Sequence, residues 1–242
     1  MLSPQFHQKR RTLLKKMLSE PILLLGNGLQ SRNLPMNPHP FRQDSSFLYF
    51  TGCDLPNAAV FLHEESEILF LPKEDPADQL WHGVHPSNQE IAYSLGFERV
   101  ESIETLEQWI HPVQKAGLCI HSLAVPSARI NHWLSQLLQQ TFSFGTEHGS
   151  AKLVTATIQL RRILEEEELE SMREAAIITH EAHVSAMKAT RVGAHEREIA
   201  FAFHSPILRK GLRTAYDSIV TVDGHILHNH HQVNFLKENQ LL

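Results

Sequence analysis

With 242 residues, 42% hydrophobic and 20% charged, the chain has the make-up of a soluble globular protein of one large or two modest domains. Its net charge of −5 offers no general attraction for nucleic acid. Cys53 and Cys119 lie far apart with no CxxC, which points to a reducing, cytoplasmic location, and apolar runs such as Ile22 to Leu25 are far too short to span a bilayer.

The N-terminus carries Lys9, Arg10, Arg11, Lys15 and Lys16 with no acid before Glu20. This stretch reads as a transit peptide, a membrane-surface helix or, preferably, a surface helix with a basic polar face and Phe6, Leu13, Leu14 and Met17 on its apolar stripe. Ser3 caps it, Pro4 opens it and Pro21 stops it. Ile22 to Leu25 is a buried strand ended by Gly26-Asn27-Gly28, and the proline-rich 33–40 segment is an extended loop. Asp44 or Ser45 caps a short helix carrying Phe47, Leu48 and Phe50, and Gly52 closes it. Ala58–Leu62 and Ile68–Leu71 are strands joined by the acidic 63–67 turn. Asp75 to Trp81 is helical or turn-like. Ser87 caps Asn88–Leu95, and Ser102 caps a helix to Ile110 that ends before Pro112. Leu118–His121 is a strand, and Ser127–Gln140 is an amphipathic helix. Strands and helices alternate to about residue 145, so the first half is an α/β domain. The polar, glycine-bearing 142–150 stretch is the expected boundary.

Four acids, Glu165 to Glu168, then open a helix where its dipole favours them. Leu169, Met172, Ala176, Thr179, His183 and Ala186 step along one face, which predicts a packed face and a hydrogen-bonded core histidine at 183. Gly193 ends that helix. The next carries Glu196, Ile199, Phe203 and Ile207, is bent or restarted at Pro206, and closes at Gly211. From Thr214 to Gln232, a β-type run (Ser218 to Val222), Asp223-Gly224 and a second apolar pair predict a β-hairpin. It presents His225, His228, His230 and His231, and adventitious metal binding is a better reading of them than a designed zinc site. The scattered histidines, His7, His39, His63, His82, His85, His111, His121, His132 and His148, show no HxxxH or HExxH spacing that would place two ligands on one helical face.

Three segments carry a resemblance. F-R-Q-D-S-S-F-L-Y-F-T-G (41–52) resembles the N-terminal domain signature of aminopeptidase P, the Xaa-Pro aminopeptidases. L-R-R-I-L-E-E-E-E-L-E-S-M-R-E-A-A (160–176) resembles the opening helix of that family's pita-bread catalytic domain, and T-A-Y-D-S-I-V with H-I-L-H (214–228) resembles its first hairpin. The resemblance covers essentially the whole chain. It implies an aminopeptidase P N-terminal α/β domain over 1–150 and an incomplete α+β pita-bread domain over 151–242. It implies removal of an N-terminal residue that precedes proline, with two Mn²⁺ ions activating a bridging water. His228 matches the family's substrate-contacting catalytic histidine, and Trp81, in Q-L-W-H-G, resembles a tryptophan lining the site of a neighbouring subunit. An ordinary packed aromatic is the other reading of Trp81.

The metal ligands that the resemblance implies all fall downstream of H-I-L-H, and no other segment of the chain supplies them. The expectation is therefore a truncated chain with no metal ligand, inactive alone. The alternative is a non-enzymatic oligomerisation or binding module, a homo-oligomer or one completed by a partner chain. Helix faces bearing Met172, Ile199 and Phe203 are expected to lack their covering sheet, leaving 151–242 less stable than 1–145.

Overall fold

The computed structural model describes residues 2–64, 66–145 and 149–242. They fall into two compact units, Met1–Leu164 and Glu165–Leu242. Part of the expected 142–150 boundary, residues 146–148 with His148, lies outside the described residues, as does Glu65 of the 63–67 turn.

The first unit is built on a sheet of β1 (Ile22–Leu25), β2 (Ala59–His63), β3 (Ser66–Leu71) and β4 (Arg99–Ser102), in that order. The first two pairings are antiparallel and β3–β4 is parallel. Each of β1 to β3 is a nearly unbroken apolar run because both faces of the sheet are covered. One face (Ile22, Leu24, Val60, Leu62, Leu69, Leu71) packs on α1 (Pro4–Met17), α2 (Ser45–Thr51), α4 (Asn88–Ser94) and α7 (Ala151–Arg161). The other (Leu23, Leu25, Phe61, Ile68, Phe70) packs on α5 (Leu106–Lys115) and α6 (Ala128–Leu138). Each such Leu, Ile or Phe contributes about 1.5–3 kcal/mol by leaving water. A five-residue helix, α3 (Asp78–His82), stands outside both layers with no buried residue.

Three expectations change here. The basic N-terminal helix is not a surface element on its polar side, because Arg10 and Arg11 are buried. Arg11 donates to Glu67 at 2.7 Å and to the carbonyls of Phe50 and Gly96 at 3.1 Å, and lies 3.9 Å from the centre of the Phe97 ring. Burial lowers the Arg11 pKa, and Glu67 works against that shift. The helix expected to end before Pro112 instead contains it: Ser102 starts a 3₁₀ turn (Ile103–Thr105) that runs on into α5. Leu118–His121 is not a strand but a single bridge, in which His121 N–H donates to Pro21 O and Leu23 N–H to His121 O, both at 2.8 Å.

Helix α7 explains why compactness divides the chain after Leu164. Ser150 caps it, and Leu153 and Ala156 are buried in the first unit's core. Arg10 and the Tyr49 hydroxyl donate to the Leu160 carbonyl at 3.4 and 3.0 Å.

The second unit pairs α8 (Glu166–Ala189) with α9 (Glu196–Arg209) and follows them with an irregular segment. The expected hairpin is absent: among the described residues, 214–232 contain no strand. Only its turn survives, with Ile226 N–H donating to Asp223 O at 2.9 Å. Pro206 lies within a single continuous α9. The stripe on α8 is not packed as predicted, since Ala182 alone is buried, Met172 is 57% exposed, and His183 is exposed with its ring edge-on to Phe203. Ile199 is fully buried, against expectation.

Candidate functional site

The motif 41–52 is first a clamp. Gln43 is 1% exposed and uses its amide in full. Its Oε1 accepts from Asn27 N–H at 2.7 Å and Asp44 N–H at 2.9 Å. Its Nε2 donates to the Cys53 and Leu55 carbonyls at 3.2 and 2.8 Å. Gly26 is required beside it, because a Cβ there would sit 2.8 Å from Gln43 Oε1. Asp44 Oδ1 accepts from Ser46 and Phe47 N–H at 2.9 Å and caps α2. Gly52 ends α2 at φ 67°, with the His7 ring 2.7 Å from where a Cβ would stand. Burial raises the Cys53 thiol pKa to about 11, so this cysteine is held protonated and unreactive, while Cys119 is free and exposed.

Trp81 sits on α3 and is 72% exposed, beside Leu80 and Val84 at 85% each. The packed-aromatic reading therefore fails within this chain. His82, next along, bonds Asp78 through Nδ1 at 2.7 Å.

In the second unit, the organiser of the 214–236 segment is Glu196, the first residue of α9, with no exposure. One carboxylate oxygen accepts from Val222 N–H at 2.8 Å and Asn234 Nδ2 at 3.0 Å, and the other from Asn234 N–H at 2.9 Å. Burial pushes the carboxyl up, but the hydrogen bonds from Asn234, Val222 and the Thr221 hydroxyl outweigh it, and the pKa is lowered. Asn229, also buried, donates to Thr221 Oγ1 at 3.0 Å and accepts from His231 N–H at 3.1 Å. Asn234 Nδ2 reaches Asp223 Oδ2 at 2.9 Å. The Val222 amide, which the expected ladder could have used, is held by this carboxylate instead.

His228 projects from this scaffold, exposed, with its ring 6.3 Å from that of His230. His225, His230 and His231 are exposed as well. Beside the scaffold lies an apolar groove of about 830 Å³ bounded by Met187, Ile199, Phe203, Tyr216, Val220 and Leu241. The donor set does not fit a two-metal centre. Glu196 is committed to the backbone, Asp223 to Asn234, and Asp217 is exposed. Among the described residues, no three His, Cys, Asp or Glu side chains gather as a metal would require. The spacing along α9 marks Glu196 only as a helix residue, and nothing local to Glu196 or Asn234 announces that they pair, since 38 positions separate them.

Comparison with known proteins places these features. The family description "Aminopeptidase P, N-terminal domain" matches residues 6–118, and "Metallopeptidase family M24" matches 170–242. A probable Xaa-Pro aminopeptidase of Aspergillus clavatus is 31% identical over 186 residues, covering 76% of this chain and 39% of that protein. The Xaa-Pro aminopeptidase of Haemophilus influenzae is 28% identical over 199 residues, covering 81% and 45%. The chain thus spans about two fifths of the length of these curated relatives. The fold superposes on Escherichia coli aminopeptidase P with the inhibitor Pro-Leu at a TM-score of 0.83 and 24% identity, over 99% of this chain and 57% of that one. The zinc-substituted E. coli protein in complex with product gives 0.82 at 23% identity, with the same coverage.

Proposed function

The chain carries an aminopeptidase P N-terminal region followed by part of a family M24 metallopeptidase domain, and from that premise we propose that it serves an Xaa-Pro aminopeptidase without being catalytic alone. The reaction assigned is hydrolysis of the bond between an N-terminal residue and a following proline. Membership of M24 implies a divalent metal cofactor, and the finer assignment, two Mn²⁺ ions, belongs to the complete enzyme. The observation that carries the reading is that, among the described residues, no three His, Cys, Asp or Glu side chains gather as a metal would require, with Glu196 and Asp223 hydrogen-bonded within their own segment. No step is derived through a metal here. What this chain contributes is a presented imidazole, His228, aimed at peptide substrate, and an exposed indole, Trp81. Two free thiols support a cytoplasmic location, and among the described residues no helix is long and apolar enough to cross a membrane.

The test is direct. Purified chain with Mn²⁺ and an Xaa-Pro peptide is expected to release no free N-terminal residue. Metal-dependent turnover that disappears in His228→Ala would overturn the reading.

A second reading, a non-enzymatic assembly module, is favoured by one feature: Leu80, Trp81 and Val84 form an exposed apolar cluster on an otherwise polar stretch. Native mass spectrometry of the chain at micromolar concentration is expected to show an oligomer under this reading. A monomer that also captures no partner chain argues against it.

A further inference from the structure

The His228 imidazole is exposed and takes part in no hydrogen bond among the described residues. Its place is therefore set by the backbone that bears it. That backbone is fixed at the next position. Asn229 is 6% exposed and uses both atoms of its amide: Nδ2 donates to Thr221 Oγ1 at 3.0 Å, and Oδ1 accepts from His231 N–H at 3.1 Å. Thr221, also buried, gives its hydroxyl hydrogen to Glu196. Its oxygen is left to accept from Asn229 and from Asp223 N–H, the latter at 3.1 Å. Three buried polar side chains thus run without a break from the first turn of α9 to the residue beside His228.

An apolar side chain at 229 would fill the same space but fix no direction. A planar amide bonded at both of its polar atoms fixes place and orientation together, and a buried network with every member satisfied is rigid. We propose that Asn229 is a positioning residue: held by Thr221 and, through it, by Glu196, it fixes the backbone that presents the His228 imidazole to peptide. The proposal rests on the reading of His228 as a substrate contact and adds what holds that contact in place. The Thr221–Asn229 bond closes the 221–229 segment just after His228, so the imidazole stands at the pinned end of the loop, whereas the 225–227 stretch lies away from the pin. A ring that makes no bond of its own is held in a productive place only if its supporting residues are locked.

The full chain is titrated with the tripeptide Ala-Pro-Ala while NMR follows the His228 ring Cε1–H resonance and the order parameter of the His228 backbone amide. In the native chain the ring resonance is expected to shift saturably and the amide to be rigid, with an order parameter of about 0.85. Asn229→Asp keeps the side-chain shape and the bond to His231 but, ionised at neutral pH, cannot donate to Thr221. That variant and Thr221→Val are each expected to bring the order parameter below about 0.6 and to weaken peptide binding at least about tenfold. Thr221→Ser keeps the hydroxyl and is expected to match the native chain in both. Unchanged peptide affinity in Asn229→Asp and Thr221→Val overturns the proposal, as does Thr221→Ser behaving like Thr221→Val. Both results leave the native His228 response intact. They are thereby told apart from failure of the peptidase reading, in which the native ring ignores the peptide or binding survives His228→Ala; that result removes the proposal as well.

Discussion

At the scale of single residues, a few buried polar side chains hold more of this protein than any loop. Replacing Gln43 with Ala strands the N–H groups of Asn27 and Asp44 and the carbonyls of Cys53 and Leu55. Denaturant unfolding is expected to show the first unit destabilised by about 2–4 kcal/mol. Glu196 makes a pH-dependent contribution. Its folded pKa lies below the ordinary 4.5, so its stabilisation is complete above that pH and is lost as pH falls through the folded value. Acid titration is expected to loosen the 214–236 segment in the native chain below about pH 4.5, and Glu196→Gln should flatten that dependence. Amide exchange at Val222 and Asn234 reports both. These roles were only half legible. Asp44 was readable as a cap because a cap needs only its own helix. Gln43 and Arg11 were not, because their partners lie at Leu55 and Glu67, and nothing local announces a clamp or a buried ion pair.

At the scale of elements, local chemistry predicted well wherever it was uncontested. The caps expected at Ser3, Asp44, Ser87 and Ser102 all formed. Helix α7 escaped notice because Val154, Thr155, Thr157 and Ile158 are β-branched and speak against helix. Yet Ser150 accepts from Leu153 N–H at 3.3 Å and lies 2.7 Å from Nδ1 of buried His121. Ser150→Ala is expected to cost about 1 kcal/mol, read as a lower thermal midpoint of the first unit. β4 was missed since its residues, Arg99 to Ser102, are polar or half-buried and make sense only beside β3. Pro206 makes the opposite case. It sits inside a helix that continues through it, at the loss of one backbone hydrogen bond. Pro206→Ala is expected to stabilise the second unit by up to about 3 kcal/mol in chemical denaturation.

At the scale of the whole molecule, the two units differ in how much they bury. Among the described residues, the first holds two extensive apolar clusters, one on each face of its sheet, whereas the second has a small one around Ala194, Ile199 and Leu236. Limited proteolysis is expected to cut first in residues 212–235, with the first unit surviving as a resistant fragment. Early cleavage between β1 and β3 would contradict that ranking. The contact of Arg10 and Tyr49 with Leu160 has a consequence for synthesis on the ribosome. Helix α1 leaves the exit tunnel first, yet Arg11 waits for Glu67 and Arg10 for Leu160, some 150 positions later in translation. The earliest helix made therefore completes its contacts late, and nascent chains stalled before Leu160 should leave the Arg10 side of α1 open to chaperones until α7 emerges.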